Sequence, residues 1–292
     1  PKLLTSGSML ASQLYATTDV LPVAGLDRLA EHLPNAWIEQ ALEATGTASI
    51  RRRRLPAEQV VWLVIALAIY RRQSMPEVLA TLDLALSAAS AQAVSKSAVT
   101  QARQRLGAKP LAQLFDQTAR AWCQQDAEYH AWQGLSLWAM DGTTFRTPDS
   151  TNNRAHFGAQ AYASGKVASY PQVRAVSITA IPTHLVSDIA FGTYAQNEML
   201  YAKTLVGRIA DHSLTVFDRG FLSAEILLGL TLGGQERHYL IPAKSNTKWE
   251  VLSGSADDCL VRMRVSPQAR AKAPELPEHW TARAVRMVSA NG

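Results

Sequence analysis

Two aspartates are set where chemistry is done. Asp141 follows the apolar run Leu135–Met140 (LSLWAM) and precedes Gly142, while Asp218 follows Leu214–Phe217 (LTVF) and precedes Arg219-Gly220. In an α/β sheet, ligands bind at the C-terminal ends of strands and in the loops that leave them. Two carboxylates at neighbouring strand ends repel each other unless cations lie between them. Oxygen ligands with no His or Cys set beside them favour magnesium or manganese over zinc. Two such ions, about 3.5–4 Å apart, would activate an attacking oxygen and stabilise a leaving one in phosphodiester cleavage. A plainer reading stands beside this one: Asp-Gly is a common turn, and an Asp after a strand also caps loops. A third carboxylate, Asp188, falls inside a strand-like run, where a hydrogen-bonded or outward-facing structural role fits it better.

Other chemistries lack their residues. The seven histidines (His32, His130, His156, His184, His212, His238 and His279) form no HxxxH or HxH pair, which argues against a zinc hydrolase. No GxSxG, GxGxxG or Walker-type GKS/GKT stretch occurs, so nucleophilic-serine, dinucleotide and nucleoside-triphosphate readings lose their support. The two cysteines, Cys123 and Cys259, are too few for a disulfide framework or zinc ribbon and suggest a reducing cytoplasm.

Charge is concentrated. Residues 51–109 carry ten basic side chains (Arg51, Arg52, Arg53, Arg54, Arg71, Arg72, Lys96, Arg103, Arg105 and Lys109) against Glu58, Glu77 and Asp83, a balance of +7 where the whole chain has +5. A helical segment so charged suits a DNA backbone, with Ser95–Leu106 (SKSAVTQARQRL) as the second helix of a helix-turn-helix. Lys96, Ser97, Gln101, Arg103 and Arg105 would then reach phosphates or base edges, and Arg51–Arg54 would add backbone contacts. The alternative is a solvated basic face.

The elements that must position these residues fall into two parts. Helical periodicity runs from about Leu26 to Ala131, broken at Pro34, at Thr45-Gly46-Thr47 and again at Gly107. Pro56 precedes the apolar run Val60–Tyr70, and Ser74 and Ser95 read as N-caps. After Gly134 strands take over: Leu135–Met140, then a hairpin of Arg174–Ile181 and Leu185–Gly192, then Leu214–Phe217 and His238–Pro242. Helices Asn197–Ala210 and Ser223–Leu232 intervene, and Leu260–Val265 and Ala282–Val288 suit small antiparallel strands. At 292 residues, 47% hydrophobic and 18% charged, the chain has ample material for a core, which excludes disordered and collagen-like classes. The eleven-residue apolar run is short of the roughly 20 residues of a membrane span. No secretory leader pattern opens the chain, so it reads as soluble and intracellular, with Met9 as a plausible start.

With these residues in view, a family resemblance is plain. WAMDGTTFRTPDSTNNRAHFG (Trp138–Gly158) resembles the first catalytic block of DDE transposases of the insertion-element-four family, and LTVFDRGFLSAEIL (Leu214–Leu227) resembles their second. RRRRLPAEQVVWLVIALAIYRR and SKSAVTQARQRLG are similar to that family's helical N-terminal domain. The resemblance implies an α+β chain. An all-α DNA-binding domain at 26–134 would follow a lead segment, 1–25. An α/β ribonuclease-H-like mixed sheet at 135–244 and the start of an antiparallel β insertion at 245–292 would come after it. It implies magnesium-dependent (or manganese-dependent) DNA cleavage and strand transfer by an insertion-sequence transposase, with double-stranded DNA as partner and a homodimer in the synaptic complex. Asp141 matches the first acid and would bridge two ions; Asp218 matches the second and would hold one. Arg219 belongs to the second block and Lys244 closes the core, both as DNA contacts, whereas Asn153 and Phe157 read as structural.

The departure lies downstream. The family's third acid is a Glu in a Tyr-x2-Arg-x3-Glu-x6-Lys block, and none of Glu225, Glu236, Glu250, Glu275 and Glu278 has that spacing. The expectation is a C-terminally truncated transposase, inactive as it stands, with a DNA-binding regulator or inhibitor of an intact transposase as the alternative.

Overall fold

The structure is a computed structural model that describes residues 24–48, 55–86, 95–161 and 165–287. Arg51–Arg54 and residues 1–23 of the lead segment, Met9 among them, lie outside the described residues. The chain divides into two compact units, Pro1–Thr118 and Ala119–Gly292.

The first unit is helical: α1 (Ala24–His32), α2 (Asn35–Ala44), α3 (Ala57–Ile69), α4 (Met75–Leu86), α5 (Lys96–Leu106) and the start of α6 (Lys109–Tyr129). The apolar run Val60–Tyr70 lies almost wholly in α3, and Val60, Val61, Trp62, Leu63 and Ala66 are all buried. An all-round apolar helix has to be surrounded, and α3 packs against α2, α4 and α5. At α5 the sequence supplies its own start and stop. Ser95 Oγ accepts the Ala98 N–H at 3.2 Å, and Gly107 takes the left-handed φ of 68° that closes the helix.

The second unit holds two sheets. The larger is five-stranded and mixed, with spatial order β3-β2-β1-β4-β5, where β1 is Ser136–Arg146, β2 Gln172–Ala180, β3 Val186–Thr193, β4 Ser213–Phe217 and β5 Arg237–Leu240. β1, β2 and β3 are antiparallel neighbours; β4 runs parallel to both β1 and β5. Parallel neighbours need a crossover, which α9 (Ala224–Leu232) supplies between β4 and β5. Together with α8 (Glu198–Val206) it packs on one face of the sheet. There Trp138, Met140, Ile178 and Phe217 meet Tyr201, Leu205, Ile226 and Leu230. A short α7 (Thr151–Phe157) follows β1. The smaller sheet is antiparallel, order β6-β7-β8, from Glu250–Gly254, Asp258–Arg264 and His279–Val285, with α10 (Pro267–Lys272) between its last two strands. Its inner side chains Cys259, Val261, Met263 and Trp280 alternate with exposed ones. The expected α+β plan, helical first and then a mixed sheet with a separate antiparallel sheet, is the one observed.

One element differs where it counts. The sequence places Asp141 at the end of a strand, but β1 continues through it to Arg146. The reason is tertiary: β2 pairs with β1 from Trp138 to Arg146, holding the backbone extended where Asp-Gly alone would suggest a turn.

Candidate functional site

The two aspartates meet at the edge where β4 stops. Met140 and Phe217 are the last parallel pair of β1 and β4, and Asp141 and Asp218 are the next residue of each. Adjacent strands lie about 4.8 Å apart, and side chains alternate between faces. Met140 and Phe217 are buried against the helices. Asp141 and Asp218 therefore leave the sheet on its opposite face, and both are exposed.

The backbone aims each carboxylate. Asp141 Oδ1 accepts the Gly142 N–H at 2.7 Å, and Asp218 Oδ2 accepts the Gly220 N–H at 3.2 Å as N-cap of the 3-10 turn Arg219–Phe221. The other oxygen of each makes no hydrogen bond among the described residues. Two hard oxygen donors side by side, with fixed directions, suit a divalent cation of the magnesium type. Among the described residues no group of three His, Cys, Asp or Glu side chains is placed to hold a metal ion.

Four of the five later glutamates are engaged in ion pairs. Glu225 pairs with Lys203 at 2.5 Å, Glu236 with His212 at 2.8 Å, Glu250 with Arg262 at 2.7 Å and Glu278 with Arg264 at 3.7 Å, while Glu275 is exposed. Asp188 is structural, as expected: its carboxylate pairs with Arg208 at 2.9 Å and accepts its neighbour's N–H from Ile189. Asn153 donates from its side chain to the Pro148 carbonyl within the loop into α7, and Cys123 and Cys259 are buried.

Of the cationic candidates, Arg219 is exposed immediately beside Asp218. Lys244 lies on the loop leaving β5, whose C-terminal end points the same way as that of β4, and its backbone is tied to Thr247. Lys96, Ser97, Gln101, Arg103 and Arg105 are all exposed on α5, whose buried stripe is Val99, Ala102 and Leu106. That helix carries three cations and no acid. Residues 87–94, between α4 and the Ser95 cap of α5, lie outside the described residues. Helix α5 packs on α3. Arg51, Arg52, Arg53 and Arg54 lie outside the described residues.

Sequence reasoning passed over Glu198 and Arg174, which stand behind Asp141 on the helix-covered face. Arg174 Nε is 3.9 Å from Glu198 Oε1, and its guanidinium lies 4.5 Å from the centre of the Tyr194 ring. Asn197-Glu198 reads only as the start of a helix, and nothing local in the sequence marks its contact with β1. Beside the end of β4, a cavity of about 570 Å3 is lined by Phe217, Tyr239, Trp249, Met263 and Trp280.

A helical unit is thus followed by a mixed sheet with two adjacent aspartates at one edge. Residues 23–116 match the family described as insertion element 4 transposase N-terminal, and residues 132–289 match the transposase DDE domain. The transposase InsG for insertion sequence element IS4 of Escherichia coli (strain K12) is 37% identical over 259 residues, covering 88% of this chain and 58% of its own length. InsZ of the same strain is 35% identical over 242 residues, covering 82% of this chain and 78% of its own length. A cryo-EM structure of the piggyBac transposase synaptic complex with hairpin DNA aligns over 88% of this chain and 58% of its own, at 11% identity and a TM-score of 0.33. The chain belongs to the insertion-element-four family of DDE transposases. It spans a little over half the length of InsG. No helix among the described residues is long and apolar enough to cross a membrane.

Proposed function

We propose that this chain carries the DNA-binding part and two of the metal-holding carboxylates of a transposase that cleaves DNA strands and transfers them to a target. The observation that supports it most is the adjacency of Asp141 and Asp218, each one residue past the last β1–β4 pair and exposed, on the face of the sheet opposite α8 and α9. Magnesium, or manganese in its place, would supply Lewis-acid activation of the attacking and leaving oxygens there. Asp141 and Asp218 would hold the metal, while Arg219 and Lys244 hold phosphates near that edge.

In this reading residues 26–134 bind DNA, chiefly through α5 and the arginines Arg51–Arg54. Residues 135–244 form the catalytic core and 245–292 open an inserted β region. The partners are transposon-end and target DNA and a second copy of the protein in a synaptic complex, and the setting is the cytoplasm and nucleoid. With two carboxylates at the edge, the 292-residue polypeptide is expected to bind DNA without magnesium-dependent nicking. That would let it act as a competitor of an intact transposase, the second reading.

The test is Mn2+ binding to the full chain, followed by electron paramagnetic resonance. Asp141→Asn and Asp218→Asn are each expected to weaken it by about ten-fold or more, as removal of a supporting group does at metal sites elsewhere. Wild-type binding in both variants would remove the pair from the mechanism. Sustained nicking of supercoiled plasmid that Asp141→Asn abolishes would overturn the inactive-fragment reading alone.

A further inference from the structure

Gly142 stands next to Asp141 on β1, opposite Val176 of β2. Its backbone does not have the positive φ that calls for glycine. Space calls for it instead. A methyl group at position 142 would meet Glu198 Cδ at 2.8 Å, Oε2 at 3.0 Å and Cγ at 3.2 Å, so the carboxyl group of α8's first residue lies directly across the Gly142 Cα. By the alternation of β1 this is the face of Met140, opposite the one from which Asp141 projects.

The Glu198 carboxyl group is itself braced. Arg174 pairs with Thr144 on the β1–β2 ladder, two positions from Val176 and so on the same face. Its Nε is buried without a hydrogen-bond partner among the described residues and points its charge at Glu198 Oε1, 3.9 Å away. Its NH1 donates to the Gln196 carbonyl at 3.3 Å, and Tyr194 lies against its guanidinium plane. Arg174 thus ties β2, the loop before α8 and the first turn of α8 into one block.

That block bears on β1 where the strand most needs support. From Trp138 to Met140 the strand is paired on both sides, by β2 and β4. From Asp141 onward it is paired by β2 alone among the described residues. A strand held along one edge can twist about that ladder, and such a twist changes the separation of Asp141 from Asp218. We infer that Glu198 is a positioning residue: its carboxyl group, braced by Arg174, presses on Gly142 and sets where Asp141 stands relative to Asp218. The inference rests on the reading of those two aspartates as the metal-holding pair.

Two measurements on the full chain test it. The first is amide hydrogen exchange across β1. In Glu198→Ala the amides of 141–146 should exchange about ten-fold faster, while the doubly paired 138–140 change less than about two-fold, as a local opening requires. Gly142→Ala pushes the same contact from the other side and should loosen the same residues. Joining it to Glu198→Asp, one methylene shorter, should return exchange to within about two-fold of wild type, the non-additivity expected of touching residues.

The second measurement is Mn2+ affinity, expected to fall about three-fold or more in Glu198→Ala and to hold in Glu198→Gln, which keeps the shape without the charge. Unchanged exchange, exchange that rises evenly over 138–146, or a Gly142→Ala defect that Glu198→Asp leaves untouched overturns the inference. Equal loss of Mn2+ in Glu198→Gln and Glu198→Ala also overturns it, because Glu198 would then act as a charge alone. Mn2+ binding that ignores Asp141→Asn sinks the carboxylate-pair reading instead, and the exchange pattern still decides whether Glu198 braces β1.

Discussion

Asp141 and Asp218 are oriented by their own backbones, through N–H groups one and two residues further along the chain. That local device is legible in the sequence: an acid followed closely by glycine, after an apolar run. What is not legible there is why the glycines are present. Gly220 sits in a short turn, whereas Gly142 makes room for a side chain from a helix that begins far down the chain. Thr215 shows a different residue-scale tension. It is fully buried in β4, two residues before Phe217, and its hydroxyl has no partner among the described residues. Replacing a buried, unsatisfied hydroxyl by a methyl of the same shape removes a desolvation cost. Thr215→Val is therefore expected to stabilise the chain by about 1 kcal/mol, measured by urea denaturation. A loss of stability would show that the hydroxyl has a partner after all.

At the scale of elements, helices with strong ends are readable and short or exposed pieces are not. Ser95 caps α5 and Asn197 caps α8, its side chain accepting the Met199 N–H at 3.0 Å. The seven-residue α7 and six-residue α10 are too brief to show a full apolar period, and every residue of β6 is exposed, so no alternation marks it. The hairpin β2–β3 is plain because Pro182-Thr183-His184 separates two apolar runs.

The junctions between elements carry their own pH dependence. Before β4, Asp211 accepts the Gln235 N–H and pairs with Arg237 at 2.8 Å. These contacts, the Gln235 N–H first, hold its carboxyl group below the usual range. A depressed carboxyl stabilises the fold above its unfolded pKa, and that contribution is lost as the pH falls through the lower folded value. Asp211→Asn is expected to unfold at lower temperature than wild type at pH 7, with the gap closing below about pH 4. A gap that persists at acid pH would assign the effect to packing.

For the whole molecule, the modest net charge of +5 resolves into a basic helical stretch and a near-neutral remainder, and the structure shows part of that basic stretch on the outer face of α5. If this face meets phosphates, replacing Lys96, Arg103 and Arg105 together by Gln should weaken binding to any duplex. It should also flatten the dependence of log affinity on log salt by about 3, close to one unit for each phosphate no longer neutralised. An unchanged slope in a gel-shift or fluorescence titration would move the DNA-binding surface elsewhere. The family and its mixed sheet can be read from two sequence blocks, yet the pairing that unites those blocks is a property of the folded chain alone.

That pairing also fixes an order of assembly. β1 meets β2 soon after it is made, and β3 follows as the next arm of an antiparallel meander. β4 arrives only after α7, β2, β3 and α8 have passed. The parallel β1–β4 ladder therefore closes the longest loop in the sheet, and such long-range closures form late because the entropy loss precedes any compensating contact. Asp141 and Asp218 come side by side through that last closure. A chain still being synthesised, or one that has lost β4, keeps its two carboxylates apart, so the neighbourhood of Asp141 and Asp218 matures together with the fold.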